Sequence, residues 1–288
     1  MDEMTEQAIE AFWDAHPCGE SQVERLRADH EEFFRRYDAF RYSRERHILR
    51  RLDAIGFQGK RVLEIGLGQG ADSEQMIRRG AVWSGLDVSA ESIRRVSTRL
   101  RGRGLPFETL EQGSALAMPF ADNRFDLVFA HGVLHHIPNV VAAQEEIARV
   151  LKPQGRLIAM LYARRSLNYL VAISLVRRLS LAAIYWSGAR PGGMVGGHLA
   201  NARCMGLRTY LSMGNFIHAN TDGPANPYSK VYDLTKVKRD FPDFELEKSY
   251  QEYMHAPPLP VFPLKPLARI LGWHLWVHLI PRKGIFPG

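Results

Sequence analysis

At 288 residues the chain can bury a full core, and it suits one α/β domain carrying an insertion or cap. Its composition, 45% hydrophobic and 24% charged, is ordinary for a soluble enzyme and leaves no case for a repeat or low-complexity architecture. A formal net charge of +7 favours anionic partners without selecting a class, and Cys18 and Cys204 make neither a disulfide framework nor a zinc site.

Taken in order, residues 1–55 read as helices. The opening MDEMTEQAIEAFW is acidic and lacks a basic segment followed by an apolar one, so no signal peptide is expected and the cytoplasm is the default address. The stretch Glu24–Arg51, with Leu26, Phe33, Phe34, Tyr37, Phe40 and Ile48 at roughly helical spacing, predicts one long helix, punctuated by Gly56 and Gly59. A β–α alternation follows. Arg61–Ile65 is a short buried strand, Gly66–Gly70 a glycine loop, and Ala71–Arg79 a helix stopped at Gly80. Ala81–Leu86 is a second strand ending at Asp87, and Ser89 caps the helix Ala90–Leu100. Phe107–Glu111 and Phe125–Ala130 are strands, Asn139–Leu151 a helix closed by Lys152-Pro153-Gln154-Gly155, and Arg156–Leu161 a fifth strand. Such alternation implies a Rossmann-like, mostly parallel sheet of about seven strands with right-handed crossovers.

The alternation stops after Tyr162. Residues 164–226 have the composition of an inserted helical cap, and residues 227–288 complete the sheet with a helix (Leu234–Phe241) and two strands (Phe244–Tyr253 and Trp273–Pro281). Four parts are therefore expected: an N-terminal lid (1–55), a core (56–163), the cap (164–226) and the C-terminal part of the core (227–288). The most apolar stretch, Leu167–Trp186, is interrupted by Arg177 and Arg178 and flanked by Arg164 and Arg165; no transmembrane segment is expected, though peripheral contact with a membrane is compatible with it.

A glycine loop between strand and helix lets a ligand approach the backbone closely, with the positive end of the helix dipole behind it. Gly66, Gly68 and Ala71 also satisfy the dinucleotide pattern, and an acid ending the second strand, here Asp87, grips ribose in either case. Three further features discriminate. Glu64 makes E-x-G-x-G-x-G; Gly113-Ser114-Ala115, Met118-Pro119-Phe120 and Phe125-Asp126-Leu127-Val128 come next; then His131-Gly132-Val133-Leu134-His135-His136-Ile137-Pro138 precedes Glu146, Arg149-Val150-Leu151-Lys152-Pro153 and Gly155.

This succession, over about residues 55–162, resembles the class I S-adenosylmethionine-dependent methyltransferases, in particular their small-molecule, UbiE-like branch. The resemblance implies transfer of a methyl group from the cofactor to a small-molecule acceptor. It assigns the cofactor S-adenosyl-L-methionine to Glu64, Gly66, Leu67, Gly68, Gly70, Asp87, Val88, Ser114, Ala115 and His131. Glu64 would hold its methionine end. Ser114 departs from the pattern, since an acid accepting the adenine amino group usually stands there; Ala115 would offer its N–H to the ring.

Methyl transfer from a sulfonium is an in-line displacement, and a base is needed only where the acceptor must lose a proton. His131 and His135 are the candidates for that work. Trp13, in the turn Phe12–Gly19, together with Tyr37, Arg41, His218 and Tyr228, is expected to contact a small-molecule acceptor. His218 precedes, and Tyr228 belongs to, the unusual loop Thr221–Ser229, which joins the cap to the sheet near the strand ends where substrates bind. No carboxylate cluster beside the glycine loop implies a metal. Arginines interleaved with glutamates along helices read as a solvated face, which argues against nucleic acid as partner. A cofactor-binding protein of weak or no activity, a nucleic-acid methyltransferase and a nicotinamide-dependent oxidoreductase are the rival readings; oligomeric state is open.

Overall fold

The structure is a computed structural model and describes residues 3–17 and 30–282; Cys18, Gly19, Leu26 and the start of the expected long helix lie outside the described residues. Seven strands form one sheet in the order β3-β2-β1-β4-β5-β7-β6: β1 Arg61–Ile65, β2 Val82–Asp87, β3 Thr109–Gln112, β4 Phe125–His131, β5 Leu151–Tyr162, β6 Phe244–Glu252 and β7 His274–Pro281. β3, β2, β1, β4 and β5 run parallel, and β7 enters antiparallel between β5 and β6. Strand order reverses between β1 and β2 on one side and β4 on the other, and the crevice at their carboxyl ends is where such sheets bind ligands.

Helices α1 (Glu3–Ala15), α2 (His30–Arg44) and α3 (His47–Asp53) lead into the sheet. In place of the one helix expected to Arg51, the chain bends at Glu45 and Arg46. Phe33, Phe34 and Tyr37 then pack on Ala71, while Ile48 and Leu52 enter the core with Val62. Each of those two fully buried aliphatic side chains contributes about 1.5–3 kcal/mol. Further along come α4 (Ala71–Arg78), α5 (Ala90–Gly102) and α6 (Val140–Val150). Ser89 accepts from the Ser92 amide to cap α5, whose Val96 and Leu100 face the core, and Asn139 caps α6 through the Ala142 amide. Arg99 of α5 is fully buried and pairs with Glu74 of α4 and Asp38 of α2, which fastens α2 to the sheet-flanking layer.

β5 begins earlier than its sequence suggests. Lys152–Gly155 does not close α6 as a loop but belongs to the strand: Phe125 pairs with Leu151, the register shifts, and Leu127 pairs with Arg156. Gly155 permits this, since a Cβ there would stand 3.1 Å from the Phe125 carbonyl oxygen.

Past β5 the chain makes a helical excursion: a π-helical turn Asn168–Arg177, then α7 (Arg178–Ser187), α8 (Gly193–Met205), α9 (Leu207–Tyr210) and α10 (Met213–Ala219). It starts and finishes at one place, because Ala163 bridges Tyr232, the Tyr232 amide donates to the Tyr162 carbonyl and the Arg164 amide to the Tyr232 carbonyl, both at 2.7 Å. The excursion has its own apolar cluster, including Ile173, Leu199, Tyr210 and Phe216, which closes on Trp273. Residues Asn168–Ser187 form a continuous helical run of 20 residues, long and apolar enough by composition to cross a membrane. Its midpoint, however, carries Arg177, which donates to the carbonyls of Pro257 and Asn220. The chain returns through α11 (Leu234–Asp240), and α12 (Ala268–Leu271) precedes β7.

Candidate active site

One cleft of about 780 Å³ lies over the carboxyl ends of β1, β2, β3 and β4 and is bordered by α1, α2 and the loop that ends the excursion. Two halves can be distinguished by what lines them.

The first half follows the glycine loop. Gly66 takes φ +74 and runs so close to Val133 that a Cβ would come within 2.1 Å of its Cγ2, so glycine is required there. Part of the loop's donor capacity is used within the fold. Leu67 donates to Asp87 Oδ2 at 2.6 Å and Ser89 donates to Oδ1 at 2.9 Å, so the Asp87 carboxylate holds the loop against the next turn. Burial nonetheless raises the Asp87 pKa, with those backbone donors opposing it. Gly70 stands apart from the cleft lining; in the left-handed conformation it opens α4. Glu64, Gly66, Leu67, Gly68, Asp87, Val88, Ser114 and Ala115 all line the cleft.

Glu64 is almost fully buried and accepts from Ser73 Oγ at 2.5 Å and Trp83 Nε1 at 3.0 Å. Burial, seconded by the Asp72 carboxylate, pushes its pKa up to about 8. Ser114 accepts from the Leu116 amide and donates to Glu6 of α1. Two more acids of that helix dock on the same strand ends: Glu10 meets Gln112 Nε2 at 3.4 Å, and Asp14 accepts from Ser89 Oγ at 2.6 Å. Glu6, Glu10 and Asp14 follow each other at i, i+4 and i+8, one face of a helix. A carboxylate therefore does stand beside Ser114, supplied from more than a hundred positions away.

The second half is built around Asp72, in the first turn of α4, where the helix dipole favours an anion. Its carboxylate binds His131 Nδ1 at 2.6 Å, Arg41 Nη2 at 2.7 Å and Tyr42 Oη at 3.4 Å. Burial opposes ionisation, yet Arg41 and His131 outweigh it and hold Asp72 below the usual carboxylate range. Arg41 keeps its charge against burial for the reciprocal reason. Tyr37 lies 3.5 Å from Arg41 Nη1. Beyond them stand Glu45, Tyr253, His255, Trp273 and His274. His47 Nε2 lies 3.1 Å from His274 Nδ1, and burial depresses His47 and His255 to about 4 and His274 well below its ordinary value. Tyr253 adopts φ +64, a conformation that costs a bulky residue about 1–2 kcal/mol and that is held here by rings of His255 and His274 at 5.2 and 4.6 Å.

The sequence-derived acceptor contacts divide. Trp13, Tyr37 and Arg41 line this cleft, as does His131. His135 does not: it is fully buried, its ring lies 3.8 Å from that of Tyr162, and burial drives its pKa well below the ordinary value, so geometry gives it packing rather than proton transfer. His218 and Tyr228 stack on each other at 4.9 Å and line a separate cavity of about 510 Å³ with Lys230 and Arg239. From the same loop, Thr221 and Asp222 reach the main cleft instead, with Asp222 accepting from Tyr162 Oη at 3.0 Å and lying 3.4 Å from His136 Nε2. Asp72, Glu45, Tyr253, His255, His274 and Asp222 were not singled out from sequence. Asp72 alone carried a local signal, as an acid two residues past the glycine loop at a helix start.

Residues 63–159 match the family model described as a methyltransferase domain. The matched segment is about a third of the chain. It takes in both the glycine loop and His131. The chain is 38% identical over 100 residues to a fatty-acid O-methyltransferase of Mycolicibacterium smegmatis, covering 34% of this chain and 35% of that one. It is 31% identical over 128 residues to a ubiquinone biosynthesis O-methyltransferase of Psychrobacter cryohalolentis, with coverage of 41% and 47%. The chain thus spans less than half the length of these curated relatives. Among solved structures, an S-adenosylmethionine-dependent methyltransferase of Mesorhizobium loti superposes with a TM-score of 0.52 at 15% identity, covering 83% of this chain and 97% of that one. The [4+2]-cyclase SpnF superposes at 0.50 and 17% identity, with coverage of 81% and 80%. The same fold is thus shared with an enzyme named for another reaction, and fold alone does not decide activity.

Proposed function

We propose that the chain transfers a methyl group from S-adenosyl-L-methionine to a small-molecule acceptor seated in the second half of the cleft. One observation carries the reading: a single cleft joins the glycine-loop half to the Asp72–His131–Arg41 group, so cofactor and acceptor would share one continuous space.

The residues present fit the cofactor. Its cationic methionine end suits Glu64, a buried carboxylate whose hydrogen-bond partners among the described residues, Ser73 and Trp83, are neutral. Asp87 and Val88 suit the ribose, Ser114 and Ala115 the adenine, and Glu6 supplies the carboxylate that the resemblance places at position 114. When bound, the cofactor supplies an already activated methyl, so the protein's part is positioning and exclusion of water. α1 and α2 cover the cleft for that purpose.

His131 is the catalytic residue of this reading. Asp72 engages Nδ1 and fixes the ring, which leaves the Nε2 lone pair for the acceptor's proton. Arg41 neutralises Asp72 and offers a cationic edge to an acceptor's oxygen. The aromatic walls, Tyr37, Phe40, Tyr162, Tyr253 and Trp273, favour an acceptor that is largely apolar with one nucleophilic group. The relatives named for fatty acids and ubiquinone support an oxygen nucleophile.

The test is calorimetric titration with S-adenosylhomocysteine, followed by transfer of labelled methyl to a panel of phenols and fatty acids. Binding without transfer to any member would favour the non-catalytic rival, and tight binding of NAD without S-adenosylhomocysteine would favour the oxidoreductase.

A further inference from the structure

The second half of the cleft holds more coordinating side chains than methyl transfer requires. Glu45 follows α2, His131 ends β4 and His274 begins β7, and each offers one ligand atom, all within 4.8 Å of one another. His274 is buried, and Glu45 and His131 are partly so.

We propose that Glu45, His131 and His274 bind a divalent transition-metal ion. Two imidazoles and one carboxylate suit zinc, iron(II), cobalt(II) or manganese(II) better than magnesium or calcium, which take oxygen. The next layer of contacts has the form such a site needs. A ligating histidine is held by a partner on its other nitrogen, which fixes the ring and raises its basicity. His131 has that partner in Asp72, at 2.6 Å from Nδ1, and His274 has it in His47, at 3.1 Å from Nδ1. Both contacts leave Nε2 for the ion. Arg41 pairs directly with Asp72 and attracts Glu45 only at longer range, so Glu45 is the carboxylate placed to offset a dication. Bonds of about 2.0–2.2 Å ask the three side chains to close by roughly an ångström, within reach of small rotations.

Three protein ligands leave positions open toward the cleft, the arrangement of a catalytic rather than a structural site. An acceptor hydroxyl bound there would ionise more readily, and the ion would then take over the task given above to the lone pair of His131. That use rests on the proposed methyl transfer; occupancy of the site does not.

The experiment is titration of the chelator-stripped full chain with Co²⁺, following visible absorption and the metal retained after dialysis. About one ion per chain is expected, with the absorption of nitrogen and oxygen ligation. Glu45→Gln and His274→Ala should each weaken uptake at least about tenfold, and His47→Ala, which leaves all three ligands in place, by about tenfold. Because His274 is buried, Glu45→Gln is the decisive variant, and S-adenosylhomocysteine binding serves as the folding control. No Co²⁺ retained by the wild type, or unchanged uptake by Glu45→Gln, would overturn the site. Cofactor binding is scored separately, so a wild type that retains Co²⁺ but binds no S-adenosylhomocysteine would count against the methyltransferase reading alone.

Discussion

The two halves of the cleft are built by different means. The glycine-loop half is mostly backbone: a strand end, the loop and a carboxylate that ties two turns together lie within Glu64–Ser89, joined by Ser114 and Glu6 from farther away in the chain. The half around Asp72 is side chains gathered from α2, α4, β4, β5, the returning loop and β7, which span residues 37–274. A site made of backbone is local in sequence and tolerates little variation. A site made of distant side chains can be altered one residue at a time.

Substitutions that separate the halves test this contrast. The largest effect is expected from Asp72→Asn, which releases His131 and Arg41 together; turnover should fall by about 10²–10⁴-fold, with a much smaller change in S-adenosylhomocysteine affinity. Equal losses in both would show that the halves are not separable. Asp87→Ala should weaken S-adenosylhomocysteine by about tenfold or more, because charge-assisted bonds of about 1.5–3 kcal/mol hold the loop; an unchanged affinity in calorimetry would relocate the cofactor. Glu6→Gln should cost about 1 kcal/mol, near fivefold in affinity, and Ser114→Asp in that background should restore it. A strong loss on Ser114→Asp alone would mean that adenine is oriented otherwise.

The smallest expected effect is a pH slope. Glu64 has a folded pKa pushed up to about 8 against an ordinary value of 4.5, so between those values the native state holds a proton that the unfolded chain has lost. Its contribution to stability is complete below the lower value and is lost as pH rises through the upper one. Thermal melts of the cofactor-free protein should therefore lose midpoint across that window, and Glu64→Gln should flatten the slope. Binding of the cationic cofactor near pH 7 should release part of a proton, visible as a dependence of binding heat on buffer ionisation enthalpy.

The same contrast decides what could be read in advance. β1 falls at Arg61–Ile65 as the pattern indicates, and the Ser89 cap forms as expected, because strand burial and capping are short-range. The bend at Glu45 and the extension of β5 through Gly155 depend on what packs opposite, which no local pattern carries. His274 sits in an apolar run that reads correctly as strand, yet nothing in that run reveals that His47 and His131 come to meet it. Glu6 was invisible for the same reason: the vacancy at Ser114 could be read, but not which distant acid fills it.

The bridge between Ala163 and Tyr232 makes everything between them a detour that departs from and rejoins one point of the sheet. Lengthening or exchanging such a detour costs mainly loop-closure entropy, about 0.6 kcal/mol for each doubling of length, and leaves the strand register as it was. Thr221 and Asp222 ride on it into the cleft. Under the proposed methyl transfer, grafting a different detour between Ala163 and Tyr232 would change what the acceptor meets and leave the glycine loop untouched, so acceptor choice could evolve apart from cofactor handling.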